Sequence, residues 1–399
     1  MRRFFLSAVT VLALWAMAIF IALPTAVAQA KSIKVGAILA ETGGASNLGG
    51  PEARTIKMQV EQINAKGGIN GDTIELIVKD SGSTPEKAIS FAKQLIEEEK
   101  VLAILGPSTS GETMAIKQIC EDGKTILLSC AAAEKIVNPV AKYVFKTPQK
   151  DSYAVKKIYM EMQKMGIAKI AVLAGNDGFG MAGKEQLEAI APEMGIQIVA
   201  AEVYDKGATD LSAVVAKIKA NTEIQAVVNW SIVPAQAIVV KNIRQAGWNV
   251  PIFQSHGFGN LKYVEAAGAA AEGLIFPAGR LLIADTLPAD HQQKNILTQY
   301  STEYQTKFQE PASTFGGHGY DAIMILAEAM KKAGSSDSEK VRNAIENLQG
   351  FVGTAGIFNF SPADHNGLDI ESFAMLTVKD GKFVQYNEPP VLKTISVVK

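Results

Sequence analysis

Strand and helix patterns alternate along most of this chain, and that rhythm restricts its fold more than any single residue does. Ser32 to Leu39 alternates into a strand, Pro51 to Ala65 has helical spacing, Thr73 to Asp80 reads as a strand, and Pro85 to Glu99 as a helix with proline in its first turn. A short apolar strand, Val101 to Leu105, runs into Gly106-Pro107 and the hydroxyls Ser108, Thr109 and Ser110, which open an amphipathic helix; the strand Thr125 to Ser129 follows. A second series adds helices at Tyr153 to Met165, Gly183 to Met194, Leu211 to Ala220 (capped by Asp210) and Pro234 to Ala246. Its strands are Lys169 to Ala174, Gln197 to Val203, Ala226 to Trp230 and Ile252 to Gln254. Repeated βα units bury parallel sheets between helices, so the expected fold is α/β, with two doubly wound parallel-sheet lobes.

After Gly273 to Phe276 the rhythm changes. Helices at Ala289 to Phe308, Gly319 to Ala333 and Ser338 to Leu348 have no strands between them. Strands return at Ile357 to Phe360, Ser372 to Val378 and Phe383 to Tyr386, the last two joined by a hairpin signal through Asp380-Gly381. Helices without a sheet of their own must pack on an existing one, which assigns them to the first lobe and the closing strands to the second. The expected N-terminal lobe is therefore 31–149 plus 279–352 and the C-terminal lobe 150–278 plus 353–399, with three crossings of a hinge.

Residues 1–30 read as a leader. Arg2 and Arg3 precede an apolar run from Phe4 to Leu23, and Ala28-Gln29-Ala30 has the small-residue form of a cut site. A signal peptide cleaved near Ala30 implies an exported, periplasmic protein; an uncleaved membrane anchor is the competing reading. No cysteine near the cut offers a lipid attachment point. The charge is nearly balanced, 39 Lys and Arg against 40 Asp and Glu, which gives no electrostatic reason for a nucleic-acid partner. Cys120 and Cys130 are separated by a helix end and a strand spanning about 17 Å, too far for a disulfide, so two free buried thiols are expected.

The strand ends at Leu105 and Ser129 fall on one edge of a parallel sheet, where ligands of open α/β folds gather. Helix-start N–H groups beside Ser108, Thr109 and Ser110 suit a carboxylate or similar small anion; the plainer role for Ser108 or Ser110 is to cap the helix. Enzyme signatures are weak. Gly178 to Gly183 spells G-x-G-x-x-G after a strand, but Asp177 would set an anion beside a pyrophosphate, and the expected reading is a cleft loop. Four scattered histidines and two cysteines make no metal-site spacing. No enzyme activity, cofactor or metal is expected.

Several segments, in this order and spacing, carry a resemblance: Ile63-Asn64-Ala65-Lys66-Gly67-Gly68-Ile69-Asn70-Gly71, Gly106-Pro107 with its hydroxyls, and Asp177-Gly178-Phe179-Gly180. Gly207 to Val214, Ala270 to Leu274 and Gly319-Tyr320-Asp321-Ala322 add to it. Over nearly its whole length after residue 30 the chain resembles the substrate-binding proteins of ABC importers in the leucine/isoleucine/valine-binding family. The resemblance implies a type I periplasmic-binding fold that hinge-closes on a small-molecule solute and, as a monomer, delivers it to membrane permease subunits. A ligand-sensing module for a signalling partner is the alternative of the same fold.

By the same resemblance Ser110, with Ser108 and Thr109 beside it, holds a carboxylate, and Ala131 supplies a carbonyl. The family's following threonine is replaced by Ala133, and His256 stands where an acidic partner for the ammonium is expected. Leu48 and Ile232 replace common tyrosines, and Phe179 keeps an aromatic. A carboxylate could accept from Ser110, the Ala133 N–H and His256, whereas an ammonium lacks a partner unless Glu41, Asp177 or Asp321 approaches. The expected solute is an aromatic or aliphatic acid, with a branched-chain or other amino acid as the alternative. His291, His318 and His365 are assigned to surface or hinge.

Overall fold

Strands β1 (Ser32–Leu39), β2 (Thr73–Asp80), β3 (Ala103–Leu105), β4 (Ile126–Ser129) and β5 (Val144–Lys146) form one parallel sheet in the order β2-β1-β3-β4-β5. The structure is a computed structural model describing residues 31–387, so the expected signal peptide lies outside the described residues. Strands β6 (Lys169–Gly175), β7 (Gln197–Tyr204), β8 (Ala226–Trp230), β9 (Ile252–Gln254) and β10 (Ile275–Ala278) make a second parallel sheet in the order β7-β6-β8-β9-β10. The two repeat one topology. Each reverses direction once, between β1 and β3 and between β6 and β8, and the crevice outside such a reversal is where open α/β sheets hold ligands.

The central strands β3, β4, β8 and β9 are buried on both faces, as their unbroken apolar runs require of a sheet covered by helices on each side. In the first sheet, alternate residues serve two clusters: Val35, Ala37, Leu39 and Leu128 on one face, Ile38, Ile104 and Leu127 on the other. Cys130 belongs to the first cluster and Cys120 to the second; both thiols are free and buried, and burial pushes that of Cys120 up to about 12.

The strandless helices do pack on the first sheet. Thr314–Ala333 adds Ala322, Ile323, Leu326 and Met330 to that core, while Lys294–Phe308 sets Leu297, Tyr300 and Tyr304 against Met58 and Tyr320. One expected assignment changes. The strand pattern puts Ile357 to Phe360 in the second lobe, yet β12 (Ile357–Phe358) pairs with β11 (Phe351–Val352), and Phe358, Phe360 and Leu368 enter the first sheet's core. Phe360 meets Phe145 edge-on, an aromatic contact that a strand pattern does not reveal. Only β13 (Ala374–Lys379) and β14 (Lys382–Gln385) return to the second sheet, as an antiparallel extension beside β10.

Helix starts are where sequence and structure differ most. Ser46–Ala65 begins before Pro51, which therefore lies inside the helix. Proline has no N–H for the carbonyl of Asn47, one turn back. That carbonyl instead accepts from Asn260 Nδ2 at 3.0 Å, a group that follows β9 in the second sheet.

Candidate ligand-binding site

The two topological reversals face one another. Gly111, in the first turn of the helix Ser110–Asp122, lies against Gly178, the first residue of the helix Gly178–Ile190; a Cβ on Gly178 would stand 2.7 Å from the Gly111 nitrogen. Asn260 on Asn47, Thr314 Oγ1 on the Gly259 carbonyl at 3.1 Å, and the Lys135–Glu185 pair also bridge the two halves. The cleft is closed.

Inside it is a small cavity of about 20 Å³, lined by Leu48, Ser108, Ser110, Cys130, Ala131, Ala132, Pro148, Phe179, Ile232, His256, Gly257, Phe315 and His318. Among the expected residues, Leu48, Ser108, Ser110, Ala131, Phe179, Ile232 and His256 share this lining, and Thr109 and Ala133 do not. A roomier groove beside Arg280, Asp290, His291 and Glu371 opens to solvent. It gathers no buried unpartnered polar side chain among the described residues.

On the first-sheet wall the three hydroxyls have separate duties. Ser108 Oγ accepts from the Ala40 N–H at 3.0 Å and donates to Glu52 Oε2 at 2.5 Å, tying the end of β1 to the turn after β3. Burial pushes the Glu52 carboxyl up to about 8, against the pull of Ser108's hydrogen bond. Thr109 is a capping residue. Its Oγ1 accepts from the Glu112 N–H at 3.3 Å and donates to Glu112 Oε2 at 2.6 Å, which satisfies a helix-start donor and takes the side chain away from the cavity. Ser110 Oγ accepts from the Ala133 N–H at 3.2 Å, so that N–H is already engaged and the expected bond from it to a solute is replaced by one to Ser110. The hydroxyl proton of Ser110 remains as a donor on this wall, and His318, on the helix packed against the same sheet, adds a buried Nδ1 with no hydrogen-bond partner.

The second-sheet wall is built on rings. His256 is enclosed edge-on by Phe179, Trp230 and Phe373, with centroids 5.3–5.6 Å away. Neither of its ring nitrogens has a hydrogen-bond partner, and Nε2 lies 3.6 Å from Asp151 Oδ1. Asp151 opens the helix Asp151–Lys164 and is wholly buried, with no hydrogen bond to either oxygen and the Glu134 backbone nearby. Behind them Lys146, the last residue of β5, donates to the carbonyls of Ala132 at 2.7 Å and of Pro148 and Gln149 at 2.9 Å. Burial raises the Asp151 carboxyl and lowers the Lys146 ammonium, and each charge draws the other back. Burial first, then the charges of Lys146 and His318, hold His256 well below the usual histidine range; burial and Lys146 push His318 down to about 3. Both imidazoles are neutral near pH 7.

No acidic side chain lines the cavity among the described residues. Glu41 pairs with Lys57, and Asp321 accepts from the Thr354 and Ala355 N–H groups at 2.6 and 2.8 Å. Asp177 caps its helix by accepting from the Phe179 and Gly180 N–H groups. Gly178 to Gly183 is thus a helical first turn, not a cleft loop, and a Cβ on Gly183 would meet Trp230 Nε1 at 1.9 Å. Its glycines serve close packing. His318, assigned to surface or hinge, is instead a buried lining residue; its place among Gly316, Gly317 and Gly319 hid the start of the helix that carries it. Among the described residues no cluster of His, Cys, Asp or Glu is arranged to hold a metal ion.

A sequence profile of the periplasmic binding protein family matches residues 32–382. A leucine-, isoleucine-, valine-, threonine- and alanine-binding protein from Pseudomonas aeruginosa is 26% identical over 320 residues, covering 79% of this chain and 82% of the relative. An extracellular ligand-binding receptor from Rhodopseudomonas palustris HaA2 superposes with a TM-score of 0.83 at 26% identity, covering 90% of this chain and 100% of that one. The branched-chain amino acid transporter substrate-binding protein LivJ from Streptococcus pneumoniae, solved with isoleucine, has a TM-score of 0.78 at 27% identity, covering 88% of this chain and 98% of that one.

Proposed function

The chain belongs to the periplasmic binding protein family, and from that premise we propose that it is the periplasmic solute-binding component of an ABC importer, monomeric and freed of residues 1–30 by cleavage near Ala30. Its two lobes, 31–149 with 279–368 and 150–278 with β13 and β14, close over one small solute and present the closed form to permease subunits. No chemistry on the solute is needed. A solute that touches both walls stabilises only the closed arrangement and so shifts its population.

The solute is a carboxylate with an apolar aromatic or aliphatic body. The observation that carries this reading is the polar character of the lining: a free hydroxyl donor on Ser110 and a neutral His256 stand among Leu48, Phe179, Ile232 and Phe315, with no acidic side chain. A buried ammonium left unpaired costs several kcal/mol, whereas a carboxylate finds donors here. The second reading is a branched-chain amino acid, which the names of the relatives from Pseudomonas aeruginosa and Streptococcus pneumoniae favour.

Thermal-shift measurements on residues 31–399, unfolded and refolded to strip carried solute, separate the two. A solute at a hundredfold over its Kd stabilises the fold by about 2.7 kcal/mol. The expected result is a shift with benzoate or hexanoate and none with leucine, isoleucine or valine. The reverse pattern establishes the amino-acid reading.

A further inference from the structure

We propose that Asp151 and His256 form one proton-holding pair, so that a carboxylate solute is bound together with a single proton shared by that pair. This rests on the carboxylate reading above. It begins from geometry: His256 Nε2 lies 3.6 Å from Asp151 Oδ1, Nδ1 is the ring's remaining polar atom, and neither nitrogen nor either carboxylate oxygen has a hydrogen-bond partner. His256 is 7% exposed and lines the cavity, and Asp151 is fully buried behind it.

A carboxylate arriving at Nδ1 leaves the ring between two groups that, when ionised, can only accept hydrogen bonds. A neutral imidazole has one N–H to offer, and its other nitrogen would turn a lone pair on an oxyanion. Two arrangements remove that conflict. Either the ring is an imidazolium donating to both carboxylates, or Asp151 is protonated and donates to Nε2 while Nδ1–H donates to the solute. The two differ in where the proton sits and not in number: each holds one proton more than a carboxylate beside a neutral imidazole.

The surroundings fit a site that admits this one charge. Lys146 on β5 spends its three N–H groups on carbonyls, so its charge acts on the pair only through space. That charge and His318, from the helix Thr314–Ala333, oppose protonation of the ring; Asp151 favours it, and Glu134 faces both Asp151 and Lys146. Asp151 is a positioning residue acting through His256. With its proton on, the pair presents an N–H to the solute and so favours an anion over an ammonium at Nδ1.

Above the pH at which the empty pair gives up its proton, the Kd for a carboxylate rises tenfold per pH unit. Titration calorimetry of residues 31–399 with benzoate and hexanoate, from pH 6 to 9.5 and in phosphate and Tris, measures both affinity and protons exchanged. Wild type is expected to take up one proton at the alkaline end. Asp151→Asn should bind with a pH-independent Kd, Asp151→Glu should restore the slope, and a purely structural role for Asp151 would weaken binding equally at every pH. A flat wild-type profile with no proton uptake overturns the pair while leaving the carboxylate reading intact. Binding of leucine, with neither carboxylate bound, overturns both.

Discussion

The two walls of the cavity are completed to different degrees. On the first-sheet side, Ser108, Thr109 and Ser110 each already accept a backbone N–H, from Ala40, Glu112 and Ala133 respectively. On the second-sheet side, His256 and the Asp151 carboxylate behind it hold no hydrogen bond at all. The first wall is set before a solute arrives, so its contribution to binding carries little ordering cost. On the proposed reading the second gains its polar partners from the solute, and discrimination between solutes would reside there.

The largest expected effect comes from keeping the walls apart. Gly178→Val places a side chain against the Gly111 backbone, and overpacking of about 1–3 kcal/mol charged only to the closed form weakens solute binding by up to about a hundredfold. Small-angle scattering should then lose the contraction that accompanies binding. Gly111→Ala, whose Cβ has its nearest neighbour at 4.0 Å, should retain it. If the valine variant contracts and binds as wild type does, the walls do not meet at this point.

The serines sharpen the contrast within one wall. Ser110→Ala removes the free donor and should weaken a carboxylate by about 1–3 kcal/mol in titration calorimetry. Ser108→Ala strands Glu52 and the Ala40 N–H, so its cost, also about 1–3 kcal/mol, should appear in urea unfolding with affinity little changed. A larger loss of affinity from Ser108→Ala than from Ser110→Ala would break the comparison.

The last effect is a slope in pH. The Glu52 carboxyl is raised to about 8 in the folded protein against 4.5 as its ordinary value, so between these the folded state binds more protons than the unfolded. Stability present at pH 4 is therefore lost as the pH climbs towards 8, by up to about 1.4 kcal/mol per unit. Glu52→Gln should flatten that loss in urea unfolding at pH 5 and 8. Asp321, raised by burial to about 7, has the same sign and leaves a residual slope.

Long apolar periodicities made most of the elements legible in the sequence: β1, β2 and β8 have the expected bounds. What escaped has physical causes. Strand β5 carries Lys146, whose role depends on carbonyls contributed by the chain before and after it. The helices at Gly178–Ile190 and Thr314–Ala333 begin with glycines that read as loop, because glycine in a helix is disfavoured until a neighbour such as Trp230 needs the space. The site was legible where a residue faces the cavity by its position at a strand end, as Ser110, Phe179 and His256 do. It was not legible where burial brings distant segments together, as with His318 and Asp151.

The approach of Gly111 to Gly178 sets main chain against main chain, with no side chain to adapt to what lies beneath. The angle at which the halves stop is therefore a property of the backbone, and on the proposed function the outline shown to permease subunits would be the same for every solute small enough to be enclosed. Such a carrier would signal that it is full without reporting what fills it. Selection among solutes would then have to be finished in the interior before the rim meets, and one permease could serve several such carriers whose interiors differ.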